Sequence, residues 1–170
     1  LQRHGIAVTV PSAGVGANLQ DHLSVMVNYR RRDKGPFEAA MRYDRLAFAM
    51  LKSWLGGESF ASDVPTGVTA FVKSAAEQAL PDVQFLFLSA PLPARAWLRP
   101  FSTPVADGFG CRVVLLRPES RGRVSLASGN PQDAPLLIPN FLTSEKDRAT
   151  LRRGVRMLRE VMAQSAMAPH

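Results

Sequence analysis

Short runs of apolar residues, bounded by glycine, proline or charged residues, predict a series of β-strands. The first run alternates between the two faces, as half-buried strands do. Residues 83–88 are nearly all apolar and follow a turn signal, which predicts a strand buried on both faces. The runs cover residues 24–29, 66–73, 83–88, 109–116, 123–127 and a short stretch around 137–138. We expect 123–127 to pair antiparallel with 109–116, because they are separated by a hairpin-like spacing.

Two segments carry the 3.6-residue periodicity of helices. Residues 38–55 predict one helix, which Gly56 and Gly57 end and whose apolar face holds Tyr43, Ala47, Met50 and Trp54. Residues 144–147 resemble a capping box with two acids in the first turn. The apolar stripe of the helix that follows is Leu151, Val155, Leu158 and Met162. We expect this basic helix to lie on a sheet, the alternative being a membrane or calmodulin-like surface.

Antiparallel strands interrupted by two long helices predict an α+β fold, a mostly antiparallel sheet backed by helices. The 170 residues are enough for a single core, and the 46% apolar share is typical of a globular protein. No apolar run reaches the roughly 20 residues of a membrane span. The net charge of +7 raises the question of nucleic acid, but the arginines are scattered without interleaved aromatics, so we expect no nucleic-acid partner.

Few residues could carry metal or nucleophilic chemistry. Cys111 has no second cysteine and lies in an apolar run, which predicts a buried core residue and fits a reducing, cytoplasmic compartment. His4, His22 and His170 show no metal-ligand spacing, so we expect no metal site. Ser120 lies outside any GxSxG turn, which argues against a serine hydrolase. We assign no catalytic residue to this chain.

Two segments interrupted by glycine or proline, about a hundred residues apart, differ from ordinary loops. Residues 14–22 read GVGANLQDH, and residues 117–142 read RPESRGRVSLASGNPQDAPLLIPNFL. The first superficially matches a dinucleotide fingerprint, but Leu19 replaces the third glycine and no strand-then-helix context surrounds it. A structured loop that turns at its two glycines is the favoured interpretation, and a phosphate cradle is the alternative. In the second segment, Gly122 is expected to adopt a conformation that a side chain would resist.

Together the two segments resemble the glucose–methanol–choline (GMC) oxidoreductases, FAD-dependent enzymes that oxidise alcohols. The resemblance implies that residues 1–22 connect from an FAD-binding domain outside this chain. Residues 23–170 would then be the substrate-binding domain, truncated before the segment that carries the catalytic histidine. Both ends of the chain are accordingly expected to be internal to a longer protein, and the isolated chain is expected to be catalytically silent. A stand-alone, non-catalytic binding module is the alternative function.

The resemblance also implies roles for individual residues. Asn18, Asp21 and His22 would lie near the cofactor, whereas the alternative is that Asp21 and His22 hydrogen-bond the backbone of their own loop. The walls of the substrate pocket would include Ser24, Gln84, Leu86 and Leu88.

Choline-oxidising relatives place an acid and a polar residue at the positions that match Ser24 and Leu86, which points here to a neutral, fairly apolar alcohol. The alternative is that the strand residues are simply core. Apolar surface that the missing domain would cover, around 5–10 and 163–168, predicts self-association.

Overall fold

The computed structural model describes residues 1–32, 35–62 and 66–167. Predictions that concern other residues, such as His170 and the end of the apolar segment 163–168, lie outside the described part. The described strands are β1 (Ser24–Arg30), β2 (Thr66–Val72), β3 (Val83–Leu88), β4 (Gly108–Leu115), β5 (Arg123–Ser125) and β6 (Leu136–Ile138). The described α-helices are α1 (Pro36–Ala40), α2 (Tyr43–Trp54) and α3 (Glu145–Met162), with single 3-10 turns at Gln2–His4 and Ser165–Met167.

The main sheet has four antiparallel strands in the order β1-β4-β3-β2. Strand β4 is central, and its Cys111 lies opposite Val27 of β1 on one side and Phe87 of β3 on the other. A separate two-stranded sheet is formed by β5 and β6. The predicted α+β class with a mostly antiparallel sheet is confirmed.

Helix α3 covers one face of the main sheet and forms the core with it. The buried members of this core are Val83, Phe85, Cys111, Val113, Leu115, Leu151 and Leu158. Gly154 lets the helix approach closely, because a Cβ there would lie 2.8 Å from Cγ1 of Val113 and 3.1 Å from Cγ1 of Val83. Alternate residues of a strand point to opposite faces, so the other face of the sheet is not covered by α3.

The expected pairing of residues 123–127 with 109–116 is wrong. Strand β4 pairs with β1 and β3, and β5 pairs with β6, whose residues 136–138 come later in the chain. Both edges of β4 are thereby paired, and β5 cannot add to either of them. Local spacing indicated an antiparallel strand correctly but could not identify its partner.

The single helix predicted over 38–55 is two helices, because the chain is extended at Arg42 (φ −68°, ψ 132°). The backbone there pairs with Trp97, whose N–H donates to Met41 O at 3.1 Å and whose carbonyl accepts from Tyr43 N at 3.0 Å. These hydrogen bonds replace the ones that a continuous helix would make at this point. A partner 55 residues away therefore decides where the first helix ends.

The expected apolar face of α2 is also wrong. Tyr43, Met50 and Trp54 are 55%, 59% and 81% exposed, while Leu46 and Ala49 are half-buried. The helix thus presents aromatic and aliphatic side chains to solvent.

Helix α3 agrees with its predicted apolar stripe and N-cap, but the reciprocal bond of a capping box is not made, because Ser144 N donates to Ser120 Oγ instead. Ser144 caps it by accepting a hydrogen bond from Lys146 N at 3.2 Å, and Leu151 and Leu158 of the stripe are buried. Among the described residues, no helix is both long enough and apolar enough to cross a membrane.

Candidate functional site

The two motif segments, residues 14–22 and 117–142, lie directly against each other. Leu19 and Gly122 exchange both backbone hydrogen bonds, at 3.0 and 2.8 Å. Val124 N donates to Gly16 O at 2.7 Å, and the side-chain amide of Gln20 donates to Pro118 O at 2.9 Å. Residues that are a hundred positions apart therefore build one junction beside the sheet.

Glycine is required at two points of this junction. Gly16 has φ 78°, and a Cβ there would lie 2.3 Å from Val124 O. At Gly122 a Cβ would lie 2.2 Å from Ile138 O and 2.6 Å from Pro139 O. The left-handed region that favours glycine includes Gly16 but not Gly122. The expectation for Gly122 is corrected accordingly: close approach of another backbone, not its own conformation, excludes a side chain.

A buried carboxylate fastens the second segment to α3. Asp147 is 1% exposed and accepts hydrogen bonds from Glu119 N at 2.8 Å and from Ser120 N at 2.9 Å. The Ser120 hydroxyl donates a third bond to it, at 2.5 Å. Burial acts to raise the pKa of Asp147, but the three hydrogen bonds outweigh it, so the pKa lies below its ordinary value. The sequence predicted an acid in the first turn of α3 but gave no sign of these partners.

The predicted cofactor-facing residues lie together on the first segment. Asn18 has φ 59°, a left-handed conformation that asparagine tolerates. Asp21 accepts a hydrogen bond from His22 N at 2.7 Å. The His22 ring is bonded through Nδ1 to Leu115 O at 2.9 Å. A carbonyl can only accept, so Nδ1 is the donor of this hydrogen bond.

The hydrogen bond from His22 N to Asp21 is that of the local-structure alternative, whereas the His22 ring bonds Leu115 O of β4, outside its own loop. These bonds still leave functional atoms available, because both residues line a groove of about 260 Å³ with Gln20, Leu116 and Pro118. Contact of Asn18, Asp21 and His22 with a cofactor stays a prediction.

The four predicted pocket residues lie on one face of the main sheet, the face away from α3. Ser24 lies opposite Val114 of β4, and Val114 lies opposite Gln84 of β3. Leu86 and Leu88 follow at two-residue intervals along β3, so they share that face. The structure thus brings together residues that are sixty positions apart in sequence.

The prediction that residues 83–88 are buried on both faces is corrected by the same geometry. Val83 and Phe85 point toward α3 and are 0% and 3% exposed. Gln84, Leu86 and Leu88 point the other way and are only half-buried. Their side chains are therefore partly accessible on this face of the sheet.

Arg112 is the charged residue in the middle of that face, and no sequence motif pointed to it. Arg112 lies between Met26 of β1 and Leu86 of β3 in the register, and it is exposed. The alternation of a strand could have found it, because Arg112 stands between the buried residues Cys111 and Val113. A guanidinium at this place makes the local potential positive. Among the described residues, no cluster of His, Cys, Asp or Glu could hold a metal ion.

Comparison with known families gives a match to the family described as "GMC oxidoreductase" over residues 118–169, which contain the second segment and α3. The chain is 32% identical over 173 residues to an alcohol dehydrogenase [acceptor] of Pseudomonas putida, covering 100% of this chain and 30% of that protein. It is 34% identical over 175 residues to an oxygen-dependent choline dehydrogenase of Vibrio vulnificus, covering 98% of this chain and 29% of that protein.

Solved structures share the fold. A formate oxidase of Aspergillus oryzae superimposes with a TM-score of 0.80 at 23% identity, covering 98% of this chain and 33% of that one. An FAD-dependent oxidoreductase from Chaetomium thermophilum gives a TM-score of 0.73 at 16% identity, over 99% of this chain and 34% of that one. The chain therefore spans about 30% of the length of the curated relatives that it matches.

Proposed function

We propose that this chain, which belongs to the GMC oxidoreductases, forms the substrate-facing sheet of a longer, FAD-dependent enzyme that oxidises the CH–OH group of an alcohol. In this proposal residues 1–22 connect from the FAD-binding domain, and residues 23–170 belong to the substrate-binding domain. The catalytic base is placed in the part of the enzyme outside these residues. None of the described side chains is assigned that role.

The observation that carries the proposal is the common face of Ser24, Gln84, Leu86 and Leu88. The register places them on two strands that flank β4, on the side that α3 leaves uncovered. Half-buried apolar side chains with a few polar groups are typical of a substrate pocket wall. The opposite face is filled by the core and offers no such surface.

The polar side chains on the first motif segment suit contact with the polar groups of a cofactor. The Nδ1 of His22 is held by Leu115 O, which leaves Nε2 on the other side of the ring, and Asp21 stiffens the loop by accepting from His22 N. Asn18, Asp21 and His22 would contact FAD from this loop. When bound, FAD supplies the acceptor for the hydride of the alcohol. The chain itself would hold the alcohol substrate against the sheet, next to the cofactor.

A neutral alcohol suits this face better than choline does. Ser24 offers a hydroxyl instead of a carboxylate, and Arg112 adds a positive charge at the centre of the face. A quaternary ammonium brought near Arg112 would be repelled and would find no carboxylate in the row of Ser24, Val114 and Gln84. We further propose the cytoplasm as the compartment, which suits the single, unpaired thiol of Cys111.

The test is to purify the longer protein encoded around this chain and the 170-residue chain by itself. We expect the longer protein to retain one FAD per chain after desalting and to reduce it when a neutral primary alcohol is added. The 170-residue chain should retain no FAD. A longer protein without flavin, or flavin retained by the short chain in equal amount, would refute the proposal.

A further inference from the structure

Strand β1 is an edge strand of the main sheet, and the backbone groups on its outer side pair with no described residue. Leu115 N donates to Leu23 O at 2.9 Å, which fixes the alternation of the β1–β4 ladder. Residues 25, 27 and 29 therefore point their N–H and C=O toward β4. The backbone groups of Ser24, Met26, Asn28 and Arg30 point outward, away from the sheet. An exposed edge of this kind is a template for another strand.

A groove runs along this edge, between β1 and α3. Its volume is about 440 Å³, and its apolar lining comes from Val25, Leu142, Leu151 and Val155. The rest of the lining is four arginines of α3, at positions 148, 152, 156 and 159. Their spacing of three to four residues places them along one side of the helix. The groove thus combines an apolar floor with a strongly basic side.

The acids on α3 neutralise only part of this charge. Glu145 pairs with Arg148 at 2.7 Å and with Arg152 at 2.6 Å. Arg156 and Arg159 form no ion pair with any described residue. Arg159 lies close enough to Tyr29 of β1 to act on it electrostatically, which places this charge beside the strand. Within the part of the chain that the structure describes, the half of the groove at Arg156 and Arg159 therefore has no acidic ion-pair partner.

We propose that the edge of β1 and the arginine groove together bind an extended, acidic polypeptide segment, supplied by the part of the longer protein outside these 170 residues. The segment adds an antiparallel or parallel strand to β1, and its alternate carboxylates face Arg156 and Arg159. The source follows from length, because the chain spans only about 30% of its relatives. The proposal is independent of the proposed redox function, since it needs neither flavin nor substrate.

A partner that pairs with the backbone accounts for both the arginines of the groove and the outward backbone groups of β1, which a free anion or an acidic helix would not. A small anion would meet the arginines but leave the outward N–H and C=O groups of β1 unpaired. A helix has its own backbone groups satisfied and could not pair with the edge. Strand addition satisfies the edge through main-chain hydrogen bonds and uses alternate side chains for selection.

The experiment measures backbone amide exchange of the 170-residue chain with and without a probe peptide. The probe is an acetylated, amidated seven-residue peptide of alternating valine and glutamate. We expect it to slow exchange at the outward amides of Ser24, Met26, Asn28 and Arg30. The amides of Val25, Val27 and Tyr29 already donate to β4 and serve as the control within the same strand.

Charge dependence is tested with the double variant Arg156→Glu/Arg159→Glu, which we expect to bind the probe at least about tenfold more weakly. The matched control Arg45→Glu changes an exposed arginine of α2 and should leave binding unchanged.

The proposal is overturned if the peptide binds without protecting the outward amides, or if it does not bind. It is also overturned if a peptide of alternating valine and lysine binds equally well. Protection of the same amides without peptide, growing with protein concentration, would assign the edge to a second copy of the chain instead.

Discussion

The carboxylate of Asp147 and the backbone N–H and hydroxyl of Ser120 are joined by two hydrogen bonds, of 2.9 and 2.5 Å. Ser120 Oγ in turn accepts from Ser144 N at 3.1 Å, at the residue that caps α3. The first turn of α3 and the loop that precedes β5 are therefore held by one buried polar cluster. Because this loop contacts the segment of His22 through Gln20 and Pro118, the cluster also supports the predicted cofactor loop.

We expect Asp147→Asn to lower the free energy of unfolding by about 2–3 kcal/mol, because the amide replaces one charged acceptor oxygen with a donor that faces N–H groups. Urea denaturation followed by circular dichroism measures the change. The control is Glu145→Gln, which removes exposed ion pairs on the same turn and should lower the free energy of unfolding clearly less than Asp147→Asn does. Equal losses in both variants would contradict the role of the buried cluster.

The contribution of Asp147 should depend on pH in a defined direction. Its pKa is lowered in the folded protein, so its stabilisation is fully present above the unfolded-state value of about 3.9 and is lost as pH falls through the folded pKa. The stability difference between the wild type and Asp147→Asn should be constant above about pH 5 and should shrink in strong acid. Denaturation curves at several pH values test this, and a difference that does not shrink would be inconsistent with it.

Gly122→Ala should destabilise the chain by more than about 2 kcal/mol, because the new methyl group would meet Ile138 O at 2.2 Å. The obstructing atoms are backbone and cannot rotate away. Gly14→Ala is the control on the partner segment, since nothing lies within 4 Å of a Cβ there, and it should change stability by less than about 1 kcal/mol. Thermal unfolding of both variants is the measurement, and a harmless Gly122→Ala would show that the two segments can separate without cost.

The thiol of Cys111 should be unreactive in the folded chain. It is 0% exposed, and burial raises its pKa to about 11, so little thiolate exists at pH 8. Iodoacetamide labelling followed by mass spectrometry should modify it only after unfolding in urea. Gln132→Cys, at an exposed position, provides the reactive control in the same protein. Labelling of both cysteines at equal rates would mean that the core opens readily.

Ser24→Glu in the longer protein should shift its preference from neutral alcohols toward choline. The new carboxylate would be unfavourable next to a neutral substrate but would attract a quaternary ammonium. The measurement is the ratio of kcat/KM for choline to that for a neutral primary alcohol of similar size. Gln132→Glu is the matched control, because it adds a carboxylate at an exposed position outside this face.

Two results would count against the pocket assignment. A wild-type preference for choline would mean that the face of Ser24 does not select the substrate. An unchanged ratio in Ser24→Glu would mean that this side chain is remote from it.

The 170-residue chain should self-associate through α2. Trp54, Leu55 and Phe48 are 81%, 71% and 69% exposed, an apolar surface that favours contact with a second copy. Sedimentation velocity should show dimers or larger species at high concentration, and Phe48→Gln/Trp54→Gln should yield monomers. Lys52→Gln, on the same helix, is the control. A wild type that stays monomeric at millimolar concentration would disprove the association.

The sequence by itself determined the features that depend on neighbours along the chain. Short apolar runs with their flanking turn residues located β1 to β4 to within one or two residues, and the apolar stripe with Ser144 as cap located α3. These predictions succeeded because the period of a strand or helix and the chemistry of a cap are local properties. The two motif segments were also recognisable from their residues alone.

Only the tertiary structure decided which distant segments meet. It paired β5 with β6 instead of β4, ended α1 through the backbone of Trp97, and placed Leu19 against Gly122. It also set Ser24 and Leu86 on one face with Arg112 between their strands. Such contacts depend on which strand edges remain free and which faces are already packed, and the residues of a single segment do not contain that information.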